Sequence, residues 1–504
     1  MTLPENCILG VVGTGLMGRG IAQIAAQAGV QTLLYDAAPD AAAKARDAIA
    51  TTLRGLARKG KIGSEAAERA VERLQPVTDV ASVARCELVI EAIVESLPAK
   101  QELFRSLENV VSAQCILATN TSSLSVTAIA SVCKLPGRCA GFHFFSPVPV
   151  MKIVEVIDGV RTEPWIGEAL IAFARRVGHT SVRASDTPGF IVNHAGRAYG
   201  TEALRIVSEG VATFDVIDRI LKDGAGFRMG PFELMDLTGL DVSQPVMESI
   251  YHQFYEEPRF RPSPLLTQRK IAGLLGRKTG RGFYAYADGT MQQIPAPAAP
   301  DARPRSVWIS RANAQVHAAV RGLLRKLGAT LDDGDRPGGE ALCVVSPVGT
   351  DATTAALTEG LDAARTAAVD PLFGLSSHRT VMTTPATTAA MRDAAHGLFG
   401  ADGVPVSVIR DSAGFVAQRV VAHIVNVACE IAQQRIATPQ DIERAVTLGL
   451  GYPKGPLAMG DALGGATTLA MLDAMHACYL DPRYRASPWL RRRAALGMSL
   501  LAED

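Results

Sequence analysis

A histidine and a glutamate at matched positions in the segment 140–157 are the residues of this chain best suited to acid–base chemistry. The segment, AGFHFFSPVPVMKIVEVI, has two apolar runs around Pro147 and Pro149, which predicts two strands joined by a tight turn. If the strands pair around residue 149, His143 and Glu155 lie opposite each other. A carboxylate beside an imidazole orients the ring and favours its cation, as a general base requires. A buried core histidine whose hydrogen bonds are satisfied by a neighbouring residue would give the same pattern. The rest of the chain must therefore decide between a catalytic and a structural histidine.

A glycine-rich turn near the amino terminus predicts a dinucleotide site. An apolar run at 7–12 predicts a strand, and a predicted helix through Ala28 follows the turn. Glycines here let the chain approach a pyrophosphate, although such a turn could also merely pack tightly. Asp36 ends a second predicted strand at 31–35, where it could accept from a ribose 2′-hydroxyl and would repel a 2′-phosphate, which favours NAD over NADP. The turn consists of Gly13, Thr14, Gly15, Leu16, Met17 and Gly18.

Further polar residues follow two other predicted strands, at the edge where open α/β sheets bind ligands. Glu95 and Lys100 come after a strand at 87–92, and the sequence NTSS at 120–123 follows a strand at 115–118. The hydroxyl and amide groups of 120–123 could hydrogen-bond a substrate oxygen. They could equally cap the helix that follows.

A cluster of basic residues lies where two helices predicted over 40–75 are interrupted, near Gly60 and Gly63. Such a cluster is either a solvated helix end or a site for a phosphorylated part of a substrate. Its members are Arg54, Arg58, Lys59 and Lys61.

Length and composition exclude several classes of protein. A chain of 504 residues predicts about two to four domains. With 20% charged residues and a net charge of +1, nothing indicates nucleic acid or an anionic membrane as partner. There is no apolar run of about 18 residues and no export signal, so we expect a cytoplasmic protein. The eight scattered cysteines predict reduced, mostly buried thiols and no metal site.

An internal repeat determines the predicted domain order. DTPGF at 186–190 recurs as DSAGF at 411–415, and GP at 230–231 recurs at 455–456, both with an offset of 225 residues. A register kept over this length indicates a second copy of a helical domain. In that copy Gln418 takes the position of Asn193.

The segment between the two copies is predicted to be a degenerate Rossmann-like unit. It contains strand-like runs but no glycine-rich turn, and no histidine or glutamate at the hairpin position. The predicted strands lie at 306–309, 341–346, 379–382 and 404–409. The predicted architecture is therefore an α/β Rossmann-type NAD-binding domain (1–185), an all-α domain (186–290), a linker (291–304), a degenerate Rossmann-like domain (305–410) and a second all-α domain (411–504).

Several motifs together resemble the L-3-hydroxyacyl-CoA dehydrogenase family. They are GTGLMG with Asp36, NTSS at 120, GFHFFSPVPVMKIVEV, DTPGFIVN at 186, GPFELMD at 230 and KTGRGFY at 278. The resemblance covers residues 7 to about 286 in order and spacing. The duplicated helical domain is similar to a long bacterial branch that acts on 3-hydroxybutyryl-CoA or 3-hydroxyadipyl-CoA.

The resemblance implies roles for individual residues. His143 would be the catalytic base and Glu155 its partner, with Ser122 and Asn193 at the reacting end of the substrate. Thr52 and Lys59 would lie near the CoA moiety. Cofactor contacts would come from Glu95, Lys100, Ser122, Ser146 and Lys278. Ser146 departs from the family, which usually has Asn there.

The predicted function is NAD-dependent oxidation of an (S)-3-hydroxyacyl-CoA to the 3-oxoacyl-CoA. The acyl length and a possible terminal carboxylate stay open. A bifunctional fatty-acid-oxidation enzyme is disfavoured because no hydratase-like stretch precedes residue 7. A non-catalytic NAD-binding structural protein of the same fold is the remaining alternative. We expect a monomer with an internal pseudo-dimer, or a homo-oligomer.

Overall fold

The computed structural model describes residues 3–503, which form two compact units. The first comprises residues 3–194 and 434–450, and the second comprises residues 195–433 and 451–503. Within the described residues, no helix is both long and apolar enough to cross a membrane. Seven of the eight cysteines are buried, as expected, and Cys478 is exposed.

An eight-stranded sheet forms the centre of the first unit. Its order is β3-β2-β1-β4-β5-β6-β7-β8, and all neighbours are parallel except β6 and β7. The strand order reverses next to β1, which creates the crevice where doubly wound sheets bind ligands. The strands are β1 Ile8–Val12, β2 Gln31–Tyr35, β3 Leu74–Val77, β4 Leu88–Glu91, β5 Ile116–Thr119, β6 Cys139–Phe144, β7 Ile153–Asp158 and β8 Thr180–Ser185.

Helices cover both faces of this sheet, so its inner strands are buried on both sides and are mostly apolar, whereas the edge strands β3 and β8 are partly exposed. One face packs around residues such as Ile90 and Phe142, and the other around Val89 and Leu117. The helices are α1 Leu16–Gln27, α2 Ala41–Arg58, α3 Ser64–Glu72, α4 Leu97–Val110, α5 Val126–Ala130 and α6 Pro164–Arg176.

Two sequence expectations for this unit need correction. The predicted tight turn between the hairpin strands is wrong, because residues 145–152 connect β6 to β7 and include a cis peptide bond at Ser146–Pro147. Strand β3 was not predicted; its sequence LQPV has no apolar alternation to reveal it. The break between α2 and α3 lies where it was predicted.

The second unit combines two sets of helices with a five-stranded sheet and a small hairpin. The first helical set comprises α7 Val192–Ser208 (which begins in the first unit), α8 Phe214–Arg219, α9 Pro231–Thr238, α10 Leu240–Gln253 and α11 Pro264–Ile271. The hairpin pairs β9 Tyr286–Ala287 with β10 Thr290–Met291. The strands of the five-stranded sheet lie in sequential order: β11 Val307–Ile309, β12 Leu342–Val345, β13 Thr366–Val369, β14 Arg379–Thr383 and β15 Val406–Arg410.

The five-stranded sheet corresponds to strands β4–β8 of the eight-stranded sheet in the first unit. In both, the antiparallel neighbours are followed by a parallel pair that is joined through a helix. The predicted strands are present, and β13 is an addition that was missed. Its sequence TAAV is rich in alanine, which has low strand propensity. Its helices are α12 Ala314–Lys326, α13 Ala352–Thr358 and α14 Ala389–Phe399.

The second helical set comprises α15 Ala417–Gln433, α16 Pro439–Leu450, α17 Pro456–Leu463, α18 Gly465–Tyr479 and α19 Pro488–Leu496. Helix α15 is buried on all sides. Its Arg419 is fully buried and pairs with Glu202 of α7 at 2.7 Å, and the Tyr484 hydroxyl donates to the same carboxylate at 2.7 Å. The two helical copies therefore pack against each other within the second unit, as predicted.

Helix α16 is the exception, because it belongs to the first unit. The Ser185 amide at the end of β8 donates to the carbonyl of Ile436 at 2.9 Å. Within the second unit, the Arg410 amide donates to the carbonyl of Val211 at 3.0 Å. Residues 185 and 410 are related by the repeat offset of 225, and so are residues 211 and 436, so the two hydrogen bonds are equivalent. Such reciprocal contacts are typical of an isologous interface between two copies.

Candidate active site

The glycine-rich turn between β1 and α1 is shaped to admit a ligand. Gly13 has a φ of +93°, and a Cβ there would lie 2.6 Å from the carbonyl oxygen of Ala92. A Cβ on Gly18 would lie 1.9 Å from the carbonyl oxygen of Gly13, so both residues must be glycine for the turn to close. At Gly15, the N-cap of α1, an added Cβ would meet no atom within 4 Å. The open position at the helix N terminus fits a pyrophosphate.

Asp36 closes this turn from the end of β2. Its Oδ2 accepts hydrogen bonds from the amide and hydroxyl of Thr14, at 2.7 and 2.8 Å, and its Oδ1 accepts from the Ala38 amide at 3.0 Å. Partial burial opposes ionisation, but these hydrogen bonds outweigh it and lower the pKa of Asp36. A partly exposed carboxylate at this position can accept a hydrogen bond from a ribose 2′-hydroxyl and would repel a 2′-phosphate.

Exposed apolar side chains flank the same crevice. Leu16, at the start of α1, is 66% exposed, and Val94, just past β4, is 69% exposed. Together with the glycine-rich turn and Asp36, these side chains form a surface that fits NAD. The turn residues Thr14 and Met17 lie where the sequence places them, at the start of α1.

His143 and Glu155 form a buried pair on adjacent strands. The register of β6 and β7 sets them directly opposite each other, as their spacing around residue 149 predicts. Their exposures are 4% and 0%, and Nδ1 of His143 lies 2.7 Å from Oε2 of Glu155. A carboxylate can only accept, so Nδ1 carries the proton in this contact, and in the neutral ring Nε2 has the lone pair.

The other oxygen of Glu155 is held by the turn that precedes α7. The Oε1 atom accepts from the backbone amides of Ile191 and Val192 at 2.9 and 2.8 Å. The next residue is Asn193, whose Nδ2 lies 3.4 Å from the carbonyl oxygen of Ser122. Backbone geometry thus brings together the four residues predicted to take part in catalysis: Ser122, His143, Glu155 and Asn193.

Glu95 organises the loop that contains Ser122. Its Oε1 accepts from the Thr121 hydroxyl at 2.7 Å and from the Ser122 and Ser123 amides at 2.9 and 3.0 Å. Burial alone would raise the pKa of Glu95, but the Thr121 hydroxyl and the charge of Lys100 lower it. The helix cap considered for this stretch is instead made by Ser125, whose hydroxyl accepts from the Ala128 amide.

Glu91, at the end of β4, is a site residue that the sequence analysis missed. It is fully buried, and its Oε1 lies 2.5 Å from Nζ of Lys100, which is 1% exposed. Lys100 also lies 3.3 Å from Glu95. The structure therefore places Lys100 beneath the loop, and its predicted contact with the cofactor stays a prediction. The only sequence signal for Glu91 was an acidic residue inside an apolar strand.

A groove of about 250 Å³ lies beside the hairpin connection, between α1 and α2. It is lined by three of the residues predicted to bind ligands, Leu16, Thr52 and Ser146. Lys59, the predicted CoA contact at the end of α2, is exposed. Arg54 is engaged by Glu68 at 2.7 and 2.8 Å, whereas Arg58 and Lys61 are exposed, so the predicted basic cluster is divided.

Lys278 is the one predicted site residue in the second unit. Its Nζ lies 2.5 Å from a carboxylate oxygen of Asp241, and its side chain is 46% exposed. Its predicted contact with the cofactor stays a prediction.

Comparison with known proteins agrees with this geometry. The family model described as 3-hydroxyacyl-CoA dehydrogenase, NAD binding domain, matches residues 8–187. The model for the C-terminal domain of the same family matches twice, at residues 189–286 and 414–499. The second match coincides with the internal repeat.

Individual relatives cover either the whole chain or its first part. The 3-hydroxyadipyl-CoA dehydrogenase of Escherichia coli K12 is 39% identical over 96% of this chain and 97% of its own length. Human mitochondrial hydroxyacyl-coenzyme A dehydrogenase is 43% identical over 55% of this chain and 90% of its own length. The crystal structure of 3-hydroxybutyryl-CoA dehydrogenase from Escherichia coli K12 superposes with a TM-score of 0.86 and 36% identity, covering 98% of this chain and 99% of that one.

Proposed function

The chain belongs to the 3-hydroxyacyl-CoA dehydrogenase family of NAD-dependent oxidoreductases, and we propose that it oxidises an (S)-3-hydroxyacyl-CoA with His143 as the general base. The product is the 3-oxoacyl-CoA. The proposal covers the 3-hydroxybutyryl and 3-hydroxyadipyl thioesters that appear in the names of the relatives.

The observation that supports this proposal best is the fixed orientation of His143. Glu155 is held by two backbone amides and accepts the Nδ1 proton of the ring. The Nε2 atom is then available to remove the proton of the substrate's 3-hydroxyl. The imidazolium that forms is stabilised by the carboxylate 2.7 Å away. In the reverse reaction the same proton returns to the 3-oxo oxygen.

Bound NAD⁺ supplies the acceptor for the hydride that leaves C3. The protein's own contribution is alignment, which brings the reacting atoms close and excludes water. Ser122 and Asn193 are assigned to the reacting end of the substrate, because the hydrogen bond between them places both beside the turn that holds Glu155.

The test is NADH formation by the purified chain from (S)-3-hydroxybutyryl-CoA and (S)-3-hydroxyadipyl-CoA. His143→Ala should lower kcat by roughly 10²–10⁴ while leaving the Kd for NAD⁺ nearly unchanged. His252→Ala is a matched control, because His252 also pairs with a glutamate, Glu256 at 3.1 Å, but on the surface. NAD⁺ binding without turnover in the wild type would favour the non-catalytic alternative.

The domain limits that the repeat predicts belong to the proposal: 1–185, 186–290, 305–410 and 411–504. We further propose that the chain is a monomer whose two helical copies imitate a dimer contact. The buried Glu202–Arg419 pair supports this, as do the reciprocal bonds of Ser185 and Arg410.

A further inference from the structure

A positively charged side chain that pairs with none of residues 3–503 lies in the groove beside the hairpin connection. Arg19, in the first turns of α1, lines the groove together with Thr52 of α2 and Ser146. It is half-buried, and its guanidinium forms neither a hydrogen bond nor an ion pair with any residue that the structure describes. We propose that Arg19 binds an anionic group of the acyl-CoA substrate, an inference that rests on the proposed function.

The rest of the groove leaves this charge unbalanced. None of the described residues that line it is acidic, and its walls are largely apolar, formed by Leu16, Ala48, Ile49, Pro147, Val148 and Pro149. The two polar side chains that α1 and α2 contribute besides Arg19 have partners within their own helices. Gln23 donates to Gln27 at 3.5 Å, and the Thr52 hydroxyl donates to the Ala48 carbonyl at 2.9 Å. A guanidinium between apolar walls is a strong site for a phosphate or carboxylate.

The position of Arg19 is fixed by the packing of α1. Its amide donates to the carbonyl of Gly15 at 3.0 Å, which ties it to the glycine-rich turn. The next residue, Gly20, is in close contact with the hairpin connection, since a Cβ there would lie 2.8 Å from Cβ of Val148. The backbone of Arg19 therefore belongs to a rigid element next to the segment that follows His143.

The groove also points toward the predicted CoA contact. Lys59 lies seven residues beyond Thr52, on the same face of α2 and about 10 Å further along its axis. An extended ligand that starts near Ser146 and passes Arg19 and Thr52 would thus reach Lys59. Two groups of an acyl-CoA carry the anionic oxygens that Arg19 would bind: the phosphates of CoA, and a carboxylate at the far end of a dicarboxylic acyl group.

The experiment is calorimetric binding of unreactive thioesters to the full chain, so that its outcome does not depend on turnover. Butyryl-CoA, adipyl-CoA and butyryl-pantetheine are titrated into the wild type, Arg19→Gln and Arg19→Lys. Arg105→Gln is the matched control, since Arg105 pairs with Glu102 on the surface of α4. We expect Arg19→Gln to weaken binding by roughly tenfold or more, because a hydrogen bond to a charged group is lost. Arg19→Lys should weaken it less, and the control should bind like the wild type.

The pattern across the three thioesters identifies the anion. Weaker binding of both CoA thioesters, with butyryl-pantetheine unaffected, identifies the phosphates. Weaker binding of adipyl-CoA alone identifies the acyl carboxylate. Unchanged binding of both CoA thioesters by Arg19→Gln overturns the proposal, as does a loss confined to NAD⁺ affinity. Failure of the proposed function is a separate result, seen as wild-type binding of these thioesters without oxidation of (S)-3-hydroxybutyryl-CoA.

Discussion

The turn DTPGF that opens the first helical copy and the turn DSAGF that opens the second have nearly the same geometry. Phe190 and Phe415 have φ values of 49° and 51°, in the left-handed region that bulky residues rarely adopt. Asp186 accepts from the amides at the start of α5, at 2.7 and 3.0 Å, and Asp411 accepts from those at the start of α13, at 2.8 and 3.2 Å. Packing and capping have preserved both turns.

The polar residues around the two turns differ. In the second half of the chain (residues 305–504), Thr380 takes the place of Glu155, and Asp370 lies across from it, its amide donating to the Thr380 carbonyl at 3.1 Å. Gln418, in the place of Asn193, donates to Asp370 at 2.9 Å. These groups bind one another, and burial raises the pKa of Asp370 to about 6. The comparison shows that the turn before each helical copy is required for packing, whereas a histidine base and its carboxylate partner are not.

The largest expected difference between the two halves is in cofactor binding. The second sheet matches only β4–β8, so it lacks counterparts of β1, α1 and Asp36. We therefore predict one NAD⁺ site per chain in a calorimetric titration. A stoichiometry of two would show that the second sheet still binds the cofactor.

In catalysis, Glu155→Gln should lower kcat by roughly 10²–10⁴, because the imidazolium loses its counter-charge. Asp370→Asn, at the corresponding location of the second half, should leave kcat and KM at wild-type values. Steady-state NADH formation measures both variants. Comparable losses in the two would mean that the second half takes part in the reaction.

The contact between the helical copies should matter for stability rather than for chemistry. Glu202→Gln leaves the buried Arg419 with only the partly exposed Glu209 as a charged partner, so we expect a loss of roughly 3–5 kcal/mol in the free energy of unfolding. Glu256→Gln, an exposed pair, should change it by less than about 1 kcal/mol. Urea unfolding curves test this, and equal stability of the two variants would contradict the role given to the buried pair.

The buried carboxylate of Glu202 predicts that the stability of the protein depends on pH. Burial opposes the charge of Glu202, but Arg419 and Arg483 lower its pKa to about 2. Since the folded-state pKa lies below the unfolded value, this stabilisation is complete above about pH 4.5 and is lost as the pH falls towards 2. Glu202→Gln should therefore show a flatter decline in stability than the wild type over that range.

Cofactor choice should change in Asp36→Ala. Without the carboxylate, Thr14 loses both of its hydrogen bonds and the repulsion of a 2′-phosphate disappears. We expect the ratio of kcat/KM for NAD⁺ over NADP⁺ to fall by roughly tenfold. Asp301→Ala, in the exposed segment that precedes β11, should keep the wild-type ratio. An unchanged ratio in Asp36→Ala would show that another residue sets the preference.

Much of the fold and part of the candidate site could be predicted from the sequence. The spacing of His143 and Glu155 predicted their pairing, because strand side chains alternate and the register follows from one central residue. The repeat offset predicted the second helical copy. These signals are local or periodic, so one chain is enough to detect them.

The features that were missed depend on packing that no local sequence pattern shows. Nothing near Lys100 in the sequence shows that Glu91 neutralises it inside the sheet. Likewise, the position of α16 against β8 results from the packing of a segment more than two hundred residues away. Asp370 was missed because β13 itself was not predicted.

The smallest expected effect concerns the stability of the second half itself. Asp370 is fully buried, and its Oδ2 has no hydrogen-bond partner among the described residues. Because its folded-state pKa is raised to about 6, its contribution to stability is complete below about pH 4 and is lost as the pH rises through 6. Asp370→Asn keeps an oxygen for Gln418 but removes the charge, so it should gain about 1–2 kcal/mol at pH 8. The gain should vanish near pH 4, where the wild-type carboxyl is protonated. Urea unfolding at the two pH values measures this, and a loss of stability at pH 8 would show that the buried carboxylate is stabilised by a contact that its environment does not otherwise reveal.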